Sequence, residues 1–328
     1  MLTSSADRKA TEVGSLPPLF RDLTVPVIAA PKLLVTGPSL VAAAAEAGIV
    51  GVAPASSTRS PDEYDEWHEI ISVRLQKYRR ETSQRTGPVA ANIGAPSKAR
   101  TDTPRYVRDL EICRKRQISL VITVKGDPTE IVKYVHDWGG LVFHDVTTLR
   151  HAEKAVEAGV DGLILICGGG GGHSGVLSPF AFVPQVRKFF RGTIVLGGSI
   201  SEGRSMRAAQ ALGADLCYMG TRFIATQESM APDGYKAMIV NSKSHELAYT
   251  PVFTKGVSCN FMIRSIEENG FDPVRLQDIL ADDPRLSVRK PWRDLWSAGQ
   301  GVGLIDDVPS VRELVSRLER EYRGSDNC

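Results

Sequence analysis

The residues best placed to do chemistry lie in one glycine-rich stretch, Cys167-Gly168-Gly169-Gly170-Gly171-Gly172-His173-Ser174-Gly175. Five consecutive glycines carry no side chains, so the backbone can approach a flat or anionic ligand closely and adopt positive φ. A histidine at the end of that run is held against whatever the glycines contact, and an imidazole can take a proton near neutral pH. A flexible surface loop is the plainer alternative, but linkers rarely place a glycine run directly behind a buried strand. Gly170, Gly172 and Gly175 also match G-x-G-x-x-G. A dinucleotide fold is not expected from it, because no Asp or Glu between Val176 and Ser201 is available to hold a ribose.

Two further loops carry paired small residues, Gly197-Gly198-Ser199-Ile200 and Met219-Gly220-Thr221-Arg222. Backbone N–H groups at such turns suit a phosphate, although glycine pairs also serve simply as tight strand-to-helix turns. Lys32 after Ala30-Pro31, Asn92, Lys125 and His144-Asp145 fall at other strand ends. Asn92 and Lys125 have the chemistry to hydrogen-bond a polar ring edge, though each alone is more often a solvated or capping residue. Cys167 is either a nucleophile or, as a strand-end thiol, packing. His68, His136, His151 and His245 fall on helices or in the region beyond the barrel and read as structural or exposed. H-E-x-x-H, G-x-S-x-G and Walker A patterns are absent from the sequence, so no metal ligand set is assigned.

These residues need a scaffold, and the chain's rhythm supplies it. Short apolar runs alternate with segments of helical period: strands at Val27–Ala30, Ile49–Ala53, Pro88–Ile93, Ile118–Val124, Gly140–His144, Asp161–Ile166, Thr193–Leu196 and Asp215–Met219. Helices are expected between them at Pro38–Gly48, up to Arg80, and at Thr103–Arg116, Pro128–Asp137, Thr147–Ala158, Pro179–Phe190 and Glu202–Leu212, with another stretch from Arg222. Continuous apolar strands are those buried on both faces. Eight such units fit a (β/α)8 TIM barrel over 20–226 better than a doubly wound sheet of five or six strands. Beyond it a smaller, mainly helical cap is expected over 227–305, then a C-terminal helix and tail over 306–328. That helix, Pro309–Tyr322, carries Val311, Leu314, Val315 and Leu318 on one face.

The 328 residues include 40 Lys+Arg and 38 Asp+Glu, a net charge of +2, which gives no electrostatic case for a nucleic-acid partner. Five cysteines without a C-x-x-C pair argue against a disulfide framework or a zinc cage. No apolar run approaches the roughly 20 residues of a membrane helix, and Met1–Phe20 lacks the apolar core of a secretory signal. A cytoplasmic protein with a small-molecule substrate is the expectation, with self-association left open.

The sequence resembles the nitronate monooxygenase family, formerly the 2-nitropropane dioxygenases. The resemblance rests on Pro26-Val27-Ile28-Ala29-Ala30-Pro31 with 40–51, on Gly171-Gly172-His173-Ser174-Gly175, on Gly197-Gly198-Ser199-Ile200 with Gly203-Arg204, and on 208–215. It continues through Met219-Gly220-Thr221-Arg222-Phe223-Ile224-Ala225-Thr226-Gln227-Glu228 and Trp296-Ser297-Ala298-Gly299-Gln300-Gly301. It implies non-covalent FMN held by Ala30, Pro31, Lys32, Asn92, Lys125, Gly171, Gly172, Gly197, Gly198, Ser199, Met219, Gly220 and Thr221. It implies His173 as the base of the family's A-G-G-H-x-G motif and O2 as electron acceptor. Here the family's Q-A-P-M turn becomes Ala29-Ala30-Pro31-Lys32, and the Glu-Ala before G-G-H becomes glycine. Related barrels with the same histidine loop include flavin-dependent enoyl-thioester reductases. An NAD(P)H-dependent reductase of that type, and a flavin-binding protein without turnover, are therefore the alternatives to nitronate oxidation.

Overall fold

The computed structural model describes residues 16–96, 105–254 and 256–324. Along them run strands β1 (Val27–Ala29), β2 (Val50–Pro54), β3 (Val89–Gly94), β4 (Leu120–Val124), β5 (Leu141–Val146), β6 (Gly162–Ile166), β7 (Gly172–His173), β8 (Thr193–Gly197), β9 (Leu216–Met219), β10 (Leu247–Thr250) and β11 (Cys259–Met262). All of these except β7, β10 and β11 close into one barrel in sequence order, every pair parallel, with β9 returning to β1. Between them lie α1 (Pro38–Glu46), α2 (Pro61–Thr82), α3 (Arg105–Lys115), α4 (Thr129–His136), α5 (Leu149–Glu157), α6 (Pro179–Arg187), α7 (Gly203–Ala211) and α8 (Thr221–Ile224). The expected start of α3 at Thr103 lies outside the described residues.

Side chains alternate along each strand, and the two faces have separate fates. Ile28, Val50, Val52, Ala90, Leu120, Ile122, Phe143, Ile164, Val195, Leu216 and Tyr218 fill the barrel interior. Their neighbours Val27, Ala29, Ala91, Val121, Val142, Leu163, Leu196, Cys217 and Met219 pack outward against the helices. The segment before β1 closes the amino end: Phe20 packs on Phe143, the rings tilted at 39° and 5.6 Å between centroids, with Leu16, Leu19 and Leu23 beside it. That plug leaves the carboxyl ends of the strands as the open mouth.

Past α8, the chain forms α9 (Asp233–Asn241), α10 (Ile263–Glu268) and α11 (Pro284–Val288), then α12 (Val311–Arg323). Ser310 starts α12 with a reciprocal capping box to Glu313, and Gly324 ends it at φ 74°. Val311, Leu314, Val315 and Leu318 are buried, as their spacing predicts, and α12 lies against α7 so closely that Gly203 leaves no room for a Cβ. Helices outweigh strands in the intervening region, but it also contributes β10 and β11. These form an antiparallel sheet with β7, the histidine-bearing segment of the barrel loop. Nothing in the periodicity foretold this sheet.

Candidate active site

The loop after β6 is a tied excursion rather than a free tether. Its base is closed by Gly168 N–H to Leu177 O (2.7 Å) and Gly175 N–H to Ile166 O (3.1 Å). Its middle pairs with β11, placing His173 opposite Cys259 and Gly172 opposite Asn260. Asn260 Nδ2 donates to Gly170 O at 2.8 Å, and the Tyr249 hydroxyl donates to Ser174 O at 2.9 Å. The glycines are required where φ is positive, at Gly169 (85°) and Gly172 (69°).

Four backbone segments meet beside this loop. Cys167 N–H donates to Gly197 O (2.8 Å), and Gln300 N–H donates to Gly169 O (2.8 Å). Gly299 N–H donates to Thr221 Oγ1 at 2.8 Å. A Cβ on Gly169 would lie 2.2 Å from Ser199 Oγ, and one on Gly171 would lie 2.9 Å from Gly299 N. The glycine loop, Gly197–Ser199, Gly220–Thr221 and Gly299–Gln300 are thus in close contact through backbone and the Ser199 and Thr221 hydroxyls, and the approaches at Gly169 and Gly171 leave no room for a Cβ. Behind them, the buried Arg222 guanidinium pairs with Asp307 at 2.6 Å and fixes α8 to the C-terminal segment.

The remaining strand-end candidates divide by the direction they face. Ala30 continues the inward register of Ile28, and its N–H donates to Met219 O at 2.8 Å. Asn92 is buried on the inner face of β3, with Nδ2 donating to Ile122 O at 3.3 Å. The Met219 side chain points the other way, into the layer between strands and helices, so only its backbone reaches the mouth. Lys32, just beyond Pro31, is half-buried; its ammonium donates to Ala30 O at 2.7 Å and lies 5.9 Å from the Phe223 ring. Burial lowers its pKa to about 7. Lys125 is exposed at φ 59°, with its charge close enough to act on His173 and Cys259.

His173 itself is half-buried, with its ring edge-on to Trp292 at 5.1 Å and 70°. Burial first, and the Lys125 charge second, lower its pKa to about 4. His144, one residue past the inward Phe143, points outward, with its Nδ1 2.8 Å from Thr123 Oγ1. The Cys167 thiol is buried and pushed up to about 12, which is packing rather than nucleophile behaviour. Among the described residues no group of His, Cys, Asp and Glu is arranged to hold a metal ion.

Four residues have a place at the site that the sequence alone does not give them. Gly299 and Gln300 were noticed only as part of a motif, because their contact with Gly169 is made across a long sequence separation. Trp292 sits in an irregular stretch with no period to place it. Asp145 was noted at a strand end, but its inward direction follows only once Phe143, two residues earlier, is known to face inward.

Closed parallel barrels that are enzymes carry their chemistry at the strand carboxyl ends, and this chain is a (β/α)8 barrel with its polar and glycine-rich elements gathered there. A model of the nitronate monooxygenase family matches residues 19–321, and the chain belongs to that family. It is 32% identical over 211 residues to (3aS,4S,5R,7aS)-5-hydroxy-7a-methyl-1-oxo-octahydro-1H-indene-4-carboxyl-CoA dehydrogenase of Rhodococcus jostii, covering 64% of this chain and 55% of that protein. It is 28% identical over 199 residues to a nitronate monooxygenase of Paraburkholderia phytofirmans, covering 55% and 54%. The chain therefore spans little more than half the length of these curated relatives. Among solved structures, FabK of Thermotoga maritima matches with TM-score 0.72 at 25% identity, covering 94% of this chain and 95% of that one. A nitroalkane oxidase of Streptomyces ansochromogenes gives TM-score 0.72 at 22% identity, covering 94% and 97%, a likeness of fold. No helix among the described residues is long and apolar enough to cross a membrane.

Proposed function

We propose that the chain is an FMN-dependent oxidoreductase that oxidises carbon acids, nitroalkanes and their nitronates first among them, with His173 as base. The observation that carries this reading is a half-buried imidazole whose lowered pKa keeps it neutral at pH 7, fixed beside glycine backbone at the barrel mouth. The residues present fit a flavin mononucleotide. Gly198, Ser199 and Gly220 have backbone N–H groups that meet no protein acceptor among the described residues, and α8 has no side-chain cap, so donors for a phosphate are at hand. A Cβ on Gly220 would meet nothing nearer than Ala30 Cβ at 3.9 Å, so there is open space beside that residue. Asn92 offers polar atoms to a ring edge at the opposite side of the mouth, and Ala30, Pro31 and Lys32 form the wall between.

The α-proton of a neutral nitroalkane moves to the imidazole of His173, whose position is kept by the β7–β11 pairing and the Trp292 edge contact. A nitronate arrives already ionised and needs only positioning. The nearby Lys125 cation favours the anion formed in either case. Bound FMN would supply the two-electron acceptor and the route to O2.

A second reading is favoured by the Rhodococcus relative, a dehydrogenase named for a carboxyl-CoA compound. A thioester also has an acidic α-carbon, so the same base serves a flavin-dependent reaction on an acyl thioester, with NAD(P)H in the reductive direction. Anaerobic mixing of the FMN-loaded protein with a nitronate, an acyl-CoA or NADH separates these. Bleaching of the flavin by the nitronate is expected; bleaching by NADH alone assigns the reductase, and no bleaching by any of them overturns catalysis.

A further inference from the structure

Asp145 is the residue at the mouth that the reaction above leaves unused. It lies on β5 two residues beyond Phe143, so it faces the barrel interior above an otherwise apolar stack. Its Oδ1 is buried and has no hydrogen-bond partner, and no cation of the described residues forms an ion pair with it. The flanking strands offer it none: β4 presents Ile122 and Val124 inward, and β6 presents Ile164 and Ile166. A second buried oxygen without a partner, Ser174 Oγ, is on the loop that packs against Ile166 and Thr147. Two orphaned polar atoms around one corner of a mouth are costly unless a ligand completes them.

We propose that Asp145 contacts the flavin directly, its protonated carboxyl donating a hydrogen bond to a carbonyl oxygen of the ring system from the barrel side. The inference rests on the FMN reading. A carboxyl can donate only when it holds its proton, and burial raises the Asp145 pKa to about 8. The titratable groups that share the mouth are Tyr218 from β9, whose phenol is itself pushed up by burial and by the Asp145 charge, Lys32 beyond β1, Lys125 beyond β4 and His173. Of these, Lys32 titrates closest to Asp145, so its contribution must be removed in the test. Loss of the proton above pH 8 turns a donor into an anion facing a carbonyl oxygen, which weakens binding and makes the flavin harder to reduce.

The test measures the FMN dissociation constant by flavin fluorescence quenching between pH 7 and 9.5, with the bound flavin's visible spectrum and each apo-protein's melting temperature. It uses the full chain, Asp145→Asn, Asp145→Ala and, as a background for each, Lys32→Met. The full chain is expected to bind with constant affinity up to about pH 8 and progressively more weakly above it, in both Lys32 backgrounds. Asp145→Asn, which keeps a donor and cannot ionise, should match the low-pH affinity and lose the decline. Asp145→Ala should bind about three- to tenfold more weakly throughout, the range for one lost hydrogen bond, with a shifted flavin spectrum and an apo melting temperature no lower than that of Asp145→Asn. An Asp145→Asn protein that keeps the alkaline decline, or an Asp145→Ala protein with unchanged affinity and spectrum, overturns the contact while leaving the flavin reading intact. A full chain that binds no FMN at any pH overturns both.

Discussion

Replacing His173 by Asn removes the only titratable nitrogen base that the glycine loop carries into the mouth and keeps a polar side chain in its place. The structure sets what that should do. With a pKa of about 4, about 0.1% of the imidazole is protonated at pH 7, whereas an ordinary histidine would be protonated in roughly a quarter of molecules. The base is therefore fully available down to about pH 5, and turnover of a neutral nitroalkane should hold level from pH 8 to 5 and fall with a midpoint near 4. Loss of a general base costs about 10²–10⁴ in rate, so His173→Asn should lose that much with the nitroalkane and less than about tenfold with the nitronate, which has no proton to surrender. Lys125→Met should raise the acid midpoint, because the cation contributes to the lowered pKa, while burial holds it below the ordinary value. The assay is oxygen consumption with both substrate forms across pH, with bound flavin quantified by absorbance. Equal loss on both forms, or none on either, refutes proton abstraction by His173. His144 is a poorer substitute, being outward and in contact with Thr123. Loss of flavin in the variant reassigns His173 as a cofactor contact.

Gly220→Val should fold with a melting temperature close to the parent's, since a Cβ there meets only Ala30, yet bind FMN at least about tenfold more weakly by fluorescence titration. Gly198→Val is a poorer probe, because φ 124° strains any side chain there before a ligand is considered. Chelation should leave turnover unchanged, and loss in EDTA restored by one divalent ion would contradict the assigned chemistry. Stability should fall from pH 6.5 to 4. His68 and His144, both buried with pKa lowered to about 4, bind protons in the unfolded chain across that window but not in the folded one, a loss of up to about 3 kcal/mol each. Asp145 works against them, since its raised pKa stabilises the protonated fold at low pH and is lost as pH rises towards 8. Two histidines against one carboxyl still leave net acid loss, and an urea midpoint that does not move between pH 7 and 4.5 would refute it.

The barrel was legible because parallel strands are covered on both faces, so Leu163-Ile164-Leu165 or Leu120-Val121-Ile122 read as unbroken apolar runs. Its site loops were legible because strand ends are the only places where five glycines behind a buried strand make sense. The β7–β11 pairing was not. Gly172-His173 has no strand propensity, and Cys259-Asn260-Phe261-Met262 has no alternation, so each is a strand only because the other is present. Met219 was placed in the mouth by proximity in sequence, and the one-residue parity of β9 turns its side chain away from it. Asp145 was the converse, a polar residue named only as a neighbour of His144 whose importance depends on the same parity.

The histidine loop borrows its strand partner from a segment synthesised long after it. Residues 167–177 leave the ribosome with the barrel still two strands short and with β11 yet to be made, which at ordinary synthesis speed is a matter of seconds. A nascent or truncated chain ending between β9 and β11 would therefore carry all eight barrel strands and the glycine turns after β6, β8 and β9 while its histidine hung from an unpaired loop. If His173 is the base, it is held in place only once β11 has been made, so a barrel that stops short of β11 has its eight strands without a fixed imidazole.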